Sequence, residues 1–240
     1  MPVTRIERFA YPTWSKGDAD TAEKPREQNP IHIAFTGKPC SGKTTYAHLL
    51  SEDLNHSGIL TLDAKEYMQN HTIFGRVLDS TFRNIENRND AISGSLSVLK
   101  HVLSYALSLG VLSVNENDYK VVITQRVYPD FAFALDTVLN SNASITRAIQ
   151  SLSLKAFNPD IIVYLHAEEA VLDKRMEKRT DGKDPIHRLL MRTDDSPLKS
   201  ALKQWKKPGA VYIEMDTSDS SKTEQNIRAL SKIVSSLIRV

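Results

Sequence analysis

Cysteine is almost absent: Cys40 is the only one in 240 residues. One thiol cannot close an internal disulfide, which suits folding in a reducing compartment. No run approaches the roughly 18 consecutive apolar residues of a membrane span. Charge of one sign is missing too. A formal net charge of +2 is too small to argue for nucleic acid as a partner. The first 30 residues lack the apolar core of a secretion signal. Glu7, Asp18, Asp20, Glu23 and Glu27 also give them more acid than a transit peptide carries. The expected location is therefore cytoplasmic, with neither membrane nor nucleic acid as partner. Pro2, Pro12, Pro25 and Pro30 punctuate this stretch. Residues 1–29 are expected to form a poorly ordered extension, with FAYPTW (residues 9–14) as a docking candidate.

Glycine is scarce as well, at nine, yet two fall in GKPCSGKT (residues 37–44). This octet matches the phosphate-binding pattern Gly-x-x-x-x-Gly-Lys-[Ser/Thr]. Glycines let the backbone bend around an anion with its N–H groups turned inward. Lys43 is placed to reach the β- and γ-phosphates, and the Thr44 hydroxyl to sit on Mg²⁺. The β-rich run IHIAFT precedes the loop, and residues 44–54 carry Tyr46, Ala47, Leu49, Leu50 and Leu54 at helical spacing. Strand, loop and helix form the setting that the pattern needs. Cys40 occupies a variable position, so its thiol reads as incidental.

A hydrophobic content of 40% and a charged content of 25% fit one globular α/β domain over residues 30–240. Strands are expected at residues 31–36, 58–63, 119–124, 160–165 and 210–215. Helical patterns fall at 64–84, 91–109, 131–139, 144–157, 168–179, 196–205 and 223–238, and a basic stretch at 179–192. Such alternation implies a parallel sheet covered on both faces. Asp63, Gln125, Arg126, His166 and Asp216 then fall at carboxyl ends of strands, on the rim where such sheets bind ligands. His166 reads as a structural histidine. His71 and His187 show no ligand spacing, so no metal beyond Mg²⁺ is suggested.

The loop alone fits GTPases, mechanical ATPases and small-molecule kinases. No Asp-x-x-Gly and no Asn-Lys-x-Asp occurs, and no strand ends in an Asp-Glu pair, which removes the first two. HTIFGRVLDSTF (71–82), VVITQRVYPDFAFA (121–134), NPDIIVYLHAEEAVLDKRMEKR (158–179) and VYIEMDTSDSSKTEQNI (211–227) follow the loop in order. Together they resemble thymidylate kinase, within the wider group of nucleoside and nucleoside-monophosphate kinases. The resemblance implies a P-loop fold with a five-stranded parallel sheet, helices on both faces and a small basic lid near residues 179–193. It implies ATP and Mg²⁺ as cofactors, a small-molecule nucleotide or nucleoside acceptor, and a homodimer as the candidate assembly.

Its carry-over assigns catalysis to Lys43, Asp63, Arg126, Arg179 and Arg188, with Arg175 and Lys183 as further lid candidates. Gly37, Ser41, Gly42, Lys43, Thr44 and Thr45 would hold the phosphates, Thr44 the Mg²⁺, and Asp216 and Ser218 would flank the adenine. Tyr67, Phe74, Arg76, Gln125, Arg126, Tyr128 and Phe131 would form the acceptor pocket, although Phe74 and Phe131 also fit a core role. Three features depart from the pattern. Gln125 replaces the acid before the arginine. The second strand ends Asp63-Ala64-Lys65-Glu66-Tyr67, closer to uridine or deoxynucleoside kinases. Residues 91–101 lack the helix arginine. The expected reaction is phosphoryl transfer from ATP to thymidylate or a related pyrimidine monophosphate. A nucleoside kinase and a catalytically impaired nucleotide-binding regulator are the alternatives.

Overall fold

The computed structural model describes residues 3–8, 30–71, 118–125, 159–178, 185–204 and 209–238. Six strands form one sheet: β1 (Val3–Arg8), β2 (Ile31–Thr36), β3 (Thr61–Asp63), β4 (Val121–Gln125), β5 (Ile161–His166) and β6 (Val211–Asp216). Their spatial order is β1-β6-β5-β2-β4-β3. Five of them, β2 to β6, run parallel, as expected for this α/β class. The parallel part starts in the middle at β2, moves to one side through β3 and β4, then to the other through β5 and β6. That reversal makes the carboxyl end of β2 a switch point, the place where open sheets of this kind bind ligands.

The expectation of a poorly ordered extension over residues 1–29 is corrected at residues 3–8. These form β1, which pairs antiparallel with β6 from Val3↔Met215 to Arg8↔Val211. A sixth strand thus covers an edge that would otherwise present unpaired backbone groups. Pairing of this kind depends on a partner some 200 residues away in the chain, and proline-rich, charged neighbours hid it.

The two-residue period of the strands sorts side chains to opposite faces. Ile33, Phe35, Val121, Ile123, Ile161, Val163, Leu165, Ile213 and Met215 pack with Tyr46, Leu50 and Leu54 of α1 (Lys43–His56) and Ile227, Leu230 and Val234 of the last helix (Thr223–Ile238). Alternate positions Ala34, Val122, Ile162, Tyr164 and Tyr212 face the other way, toward Leu190, Leu198 and Leu202. Between α1 and the last helix, Asn226 Nδ2 donates to the buried Tyr46 hydroxyl at 2.9 Å.

Among the described residues the remaining α-helices are α2 (Ala64–His71), α3 (Glu169–Glu177), α4 (Pro185–Arg192) and α5 (Ser196–Gln204), which makes the last helix α6. Basic residues 179–192 read as a polar stretch, but Pro185 opens a helix there. Proline at a first helical position costs no hydrogen bond, and Leu190 and Met191 are buried. The helical patterns at 91–109, 131–139 and 144–157 lie outside the described residues. Among the described residues, no helix is long and apolar enough to cross a membrane.

Candidate active site

Loop residues 37–42 join β2 to α1 at the switch point. Gly37 takes φ +134°, and a Cβ there would lie 2.1 Å from the Leu165 carbonyl oxygen of β5. Only glycine lets the loop leave β2 pressed against its neighbour strand. Gly42, at φ 95°, is the N-cap of α1, and no side chain caps that end. The first N–H groups and the positive end of the helix dipole therefore lack a side-chain partner, the arrangement that favours an anion at a helix N-terminus. Lys43 Nζ donates to the carbonyls of Gly37 and Lys38, each at 2.6 Å, and approaches Ser41 Oγ at 3.5 Å. Its ammonium is thus curled inside the loop. Thr45 is exposed in the first turn of α1.

Cys40 is less incidental than expected. Its φ of 62° is the one positive value at a non-glycine position among the described residues. Its thiol meets Met176 Sδ at 3.9 Å, within the apolar group of Leu172, Met176 and Met191. It packs the loop against α3 and α4.

A second device holds the loop from the β5–β6 side. Arg175 donates to the Cys40 carbonyl at 3.3 Å, to Thr217 Oγ1 at 3.3 Å and to the Thr217 carbonyl at 2.5 Å. Buried Thr217 lies 3.0 Å from the carbonyls of both Ser41 and His166. Its one hydroxyl proton serves these two acceptors in turn. Arg175 is thereby corrected from lid candidate to clamp, tying the phosphate loop to the turn after β6. On that turn Asp216 Oδ1 accepts from the Ser218 N–H at 2.8 Å and the Ser218 hydroxyl at 2.7 Å. Ser218 Oγ in turn accepts from the Glu168 N–H at 2.9 Å. Partial burial raises the Asp216 carboxyl, but the two Ser218 bonds, with His166 and Lys222 nearby, outweigh it and hold the carboxyl below its ordinary value.

On the opposite side a polar strip crosses four elements, α1, β4, β3 and α2. Thr44 Oγ1 donates to Gln125 Oε1 at 2.8 Å, and Gln125 Nε2 donates to Asp63 Oδ2 at 3.3 Å. Lys65 Nζ donates to Thr44 Oγ1 at 3.4 Å. Asp63 Oδ1 accepts the N–H groups of Lys65 at 3.0 Å and Glu66 at 3.3 Å, at the start of α2. Burial pushes the Asp63 carboxyl above its ordinary value. The Glu66 and Lys65 N–H groups, the Gln125 amide and the Lys65 charge pull against that. Sequence reasoning placed Asp63, Gln125 and Thr44 on one rim, and the structure joins them by hydrogen bonds. It missed Lys65, because a lysine in a first helical turn carries no motif.

Lys38 was also missed. It donates to the Met191 carbonyl at 3.1 Å and so ties the loop to the C-terminal turn of α4, the helix on which Arg188 is exposed. Tyr67 is half-buried on α2 and packs against the apolar face of Tyr164 and Leu198, so its body belongs to the core. His166 stacks on Tyr164 at 6.2 Å and lies 3.9 Å from Glu214, a structural setting. Buried Tyr164 donates its hydroxyl to Asp195; burial and that bond push its pKa far up. Arg126, Arg179, Lys183, Phe74, Arg76, Tyr128 and Phe131 lie outside the described residues.

Among the described residues no three His, Cys, Asp or Glu side chains gather to hold a metal. The donor set still suits Mg²⁺. That ion binds through one or two oxygen ligands plus substrate phosphates and keeps several waters. Thr44 offers a hydroxyl, and the Asp63 carboxylate is one water or one amide away.

A phosphate loop at the switch point of a parallel sheet, with an acid on the same rim two strands away at the end of β3, is the setting of a P-loop kinase of the nucleoside and nucleotide class. The deoxynucleoside kinase family matches residues 33–239, and the chain belongs to that family. Among solved structures, the thymidylate kinase of Ehrlichia chaffeensis shares the fold. It matches with a TM-score of 0.54 and 15% identity, over 86% of this chain and 99% of that one. No curated protein matches the chain by sequence at a significant level.

Proposed function

We propose that this chain transfers the γ-phosphoryl group of ATP to the hydroxyl of a deoxynucleoside. The observation that carries this reading is Asp63. Its carboxylate is buried on the rim, one glutamine away from the Thr44 hydroxyl. A nucleoside brings an uncharged hydroxyl that must lose a proton, and a carboxylate raised by burial is a better proton acceptor than a solvated one. Membership of the deoxynucleoside kinase family supports the same acceptor class.

Bound Mg²⁺ would supply charge neutralisation on the phosphates. Lys43 and the uncapped N-terminus of α1 hold the β- and γ-phosphates. The clamp of Arg175 and Thr217 keeps the loop beside the Asp216–Ser218 turn, where the adenine lies in this reading. Basic residues around 179–193 close the site and exclude water, so that the acceptor hydroxyl is the nucleophile.

A second reading, the monophosphate acceptor of thymidylate kinases, rests on Arg126. It follows Gln125 directly in the chain, and a guanidinium binds two phosphate oxygens at once. Steady-state kinetics with Mg²⁺ and ATP, on deoxynucleosides and their monophosphates side by side, separates the two. The first reading expects turnover on a deoxynucleoside, and a hundredfold or greater loss of kcat in Asp63→Asn with little change in KM, on the order of a general base's share. Turnover confined to monophosphates would establish the second. ATP binding with no acceptor turned over would move the chain to a regulatory class.

A further inference from the structure

Lys65 has no part in the reaction as proposed above, yet its place is well determined. Its backbone N–H is held by Asp63 Oδ1 at 3.0 Å in the first turn of α2, which sets the direction in which its side chain leaves. From there the ammonium crosses to α1 and donates to Thr44 Oγ1 at 3.4 Å. Glu66, the next residue, turns instead toward His48 at 3.7 Å.

Thr44 thus follows one lysine in the chain and accepts a hydrogen bond from another. Lys43 precedes it and curls into the loop, and Lys65 reaches its hydroxyl from another element. The carboxylate of this strip, Asp63, reaches Thr44 through Gln125, whose amide oxygen carries no net charge, while its own charge acts on Lys65. A Mg²⁺ ion on the Thr44 hydroxyl would therefore have a cation as its neighbour and a neutral amide where a carboxylate could stand. Like charges this close repel strongly even when partly solvated. Phosphate oxygens, by contrast, are served equally well by an ammonium, which binds them as a point charge.

We propose that Lys65 is a phosphate-binding cation of the nucleotide site that competes with the divalent ion for the place beside Thr44, so that this loop holds nucleotide with reduced need of metal. The proposal rests on the kinase reading in one respect: ATP must bind at the loop.

The test is equilibrium binding of a non-hydrolysable ATP analogue to the full chain by calorimetry. It is run in chelator and then over a Mg²⁺ titration, with Lys65→Met, Lys65→Gln and Lys65→Arg. In chelator, Lys65→Met and Lys65→Gln should bind the analogue about tenfold more weakly than wild type, the low end for a charge-assisted contact. Lys65→Arg should stay close to wild type. In the titration, the Mg²⁺ concentration at half-saturation should fall severalfold in the two neutral variants, because the competing cation is gone. Melting temperatures near wild type would show that the lysine's reach to Thr44, and not the fold, has been changed. An unaltered metal-free affinity, or a half-saturation point that stays put or rises, would overturn the proposal. If wild type binds the analogue and turns over an acceptor while the Lys65 variants match it, this inference alone falls. If wild type binds no analogue, the kinase reading falls with it.

Discussion

Substituting Gly37 by alanine tests whether the contact between loop and sheet is as close as the backbone implies. An added Cβ would sit 2.1 Å from the Leu165 carbonyl oxygen and 3.0 Å from Ser41 Oγ. The carbonyl would have to retreat by 0.9 Å to reach a 3.0 Å contact. It cannot do so cheaply, because Leu165 is fully buried and β5 is paired on both sides. A φ of +134° adds strain for any L side chain. Strained backbone costs roughly 1–3 kcal/mol and a forced shift in a packed interior roughly 1–3 kcal/mol, so the loss is about 2–6 kcal/mol. For a chain of this size that lowers Tm by roughly 2–4 °C per kcal/mol. Gly42→Ala is the internal control. It shares the positive φ, at +95°, but its Cβ meets nothing nearer than Tyr46 Cδ2 at 3.4 Å, so only the strain, about 1–3 kcal/mol, applies. Urea unfolding of both variants measures the difference. If Gly37→Ala loses no more stability than Gly42→Ala, the loop does not press on β5 as described.

Lys43→Ala should keep the fold and lose turnover. Its ammonium bonds to carbonyls of the loop it serves, and charge on moving phosphoryl oxygens is where it matters most; unchanged phosphotransfer by a folded variant refutes this. Arg175→Ala removes charged hydrogen bonds to Cys40 and Thr217 and should raise KM for ATP severalfold while destabilising by about 1–3 kcal/mol, read by kinetics and denaturant melts together. Asp63 makes stability depend on pH in a definite sense. Its folded carboxyl lies above the unfolded value of 3.8, so the folded chain binds the proton more tightly, and stability falls as pH rises from 3.8 through the folded value. Urea midpoints of Asp63→Asn against wild type should therefore improve over that window, and a gap moving the other way contradicts the burial argument. With no guanine-reading motif, ATP should outcompete GTP as donor, which mixed-donor turnover measures.

Residues 31–36 and 37–44 were legible from the chain alone, because a buried strand, a glycine-bent loop and an amphipathic helix are specified by neighbours within a few positions. The parallel sheet was legible for a related reason. Fully buried strands such as IIVYL need cover on both faces, whatever their partners are. The ends of β3, β4 and β6 followed from those strands, and with them the placing of Asp63, Gln125 and Asp216 on one rim. Sequence could not show that Thr44, Gln125 and Asp63 share hydrogen bonds, or that Lys65 joins them. Their partners are 81, 62 and 21 residues apart, and only the sheet order β2-β4-β3 brings them together. The same holds for Arg175, which reads as one charge on a solvated helix until the fold sets α3 beside the loop and gives its guanidinium two carbonyls to hold. β1 is the clearest case. VTRIER has no strong pattern of its own, and it becomes a strand because β6 presents a row of unpaired N–H and C=O groups that only a distant segment can satisfy. Local conformation is encoded by local chemistry, whereas which side chains meet is decided by burial and backbone pairing summed over the whole domain.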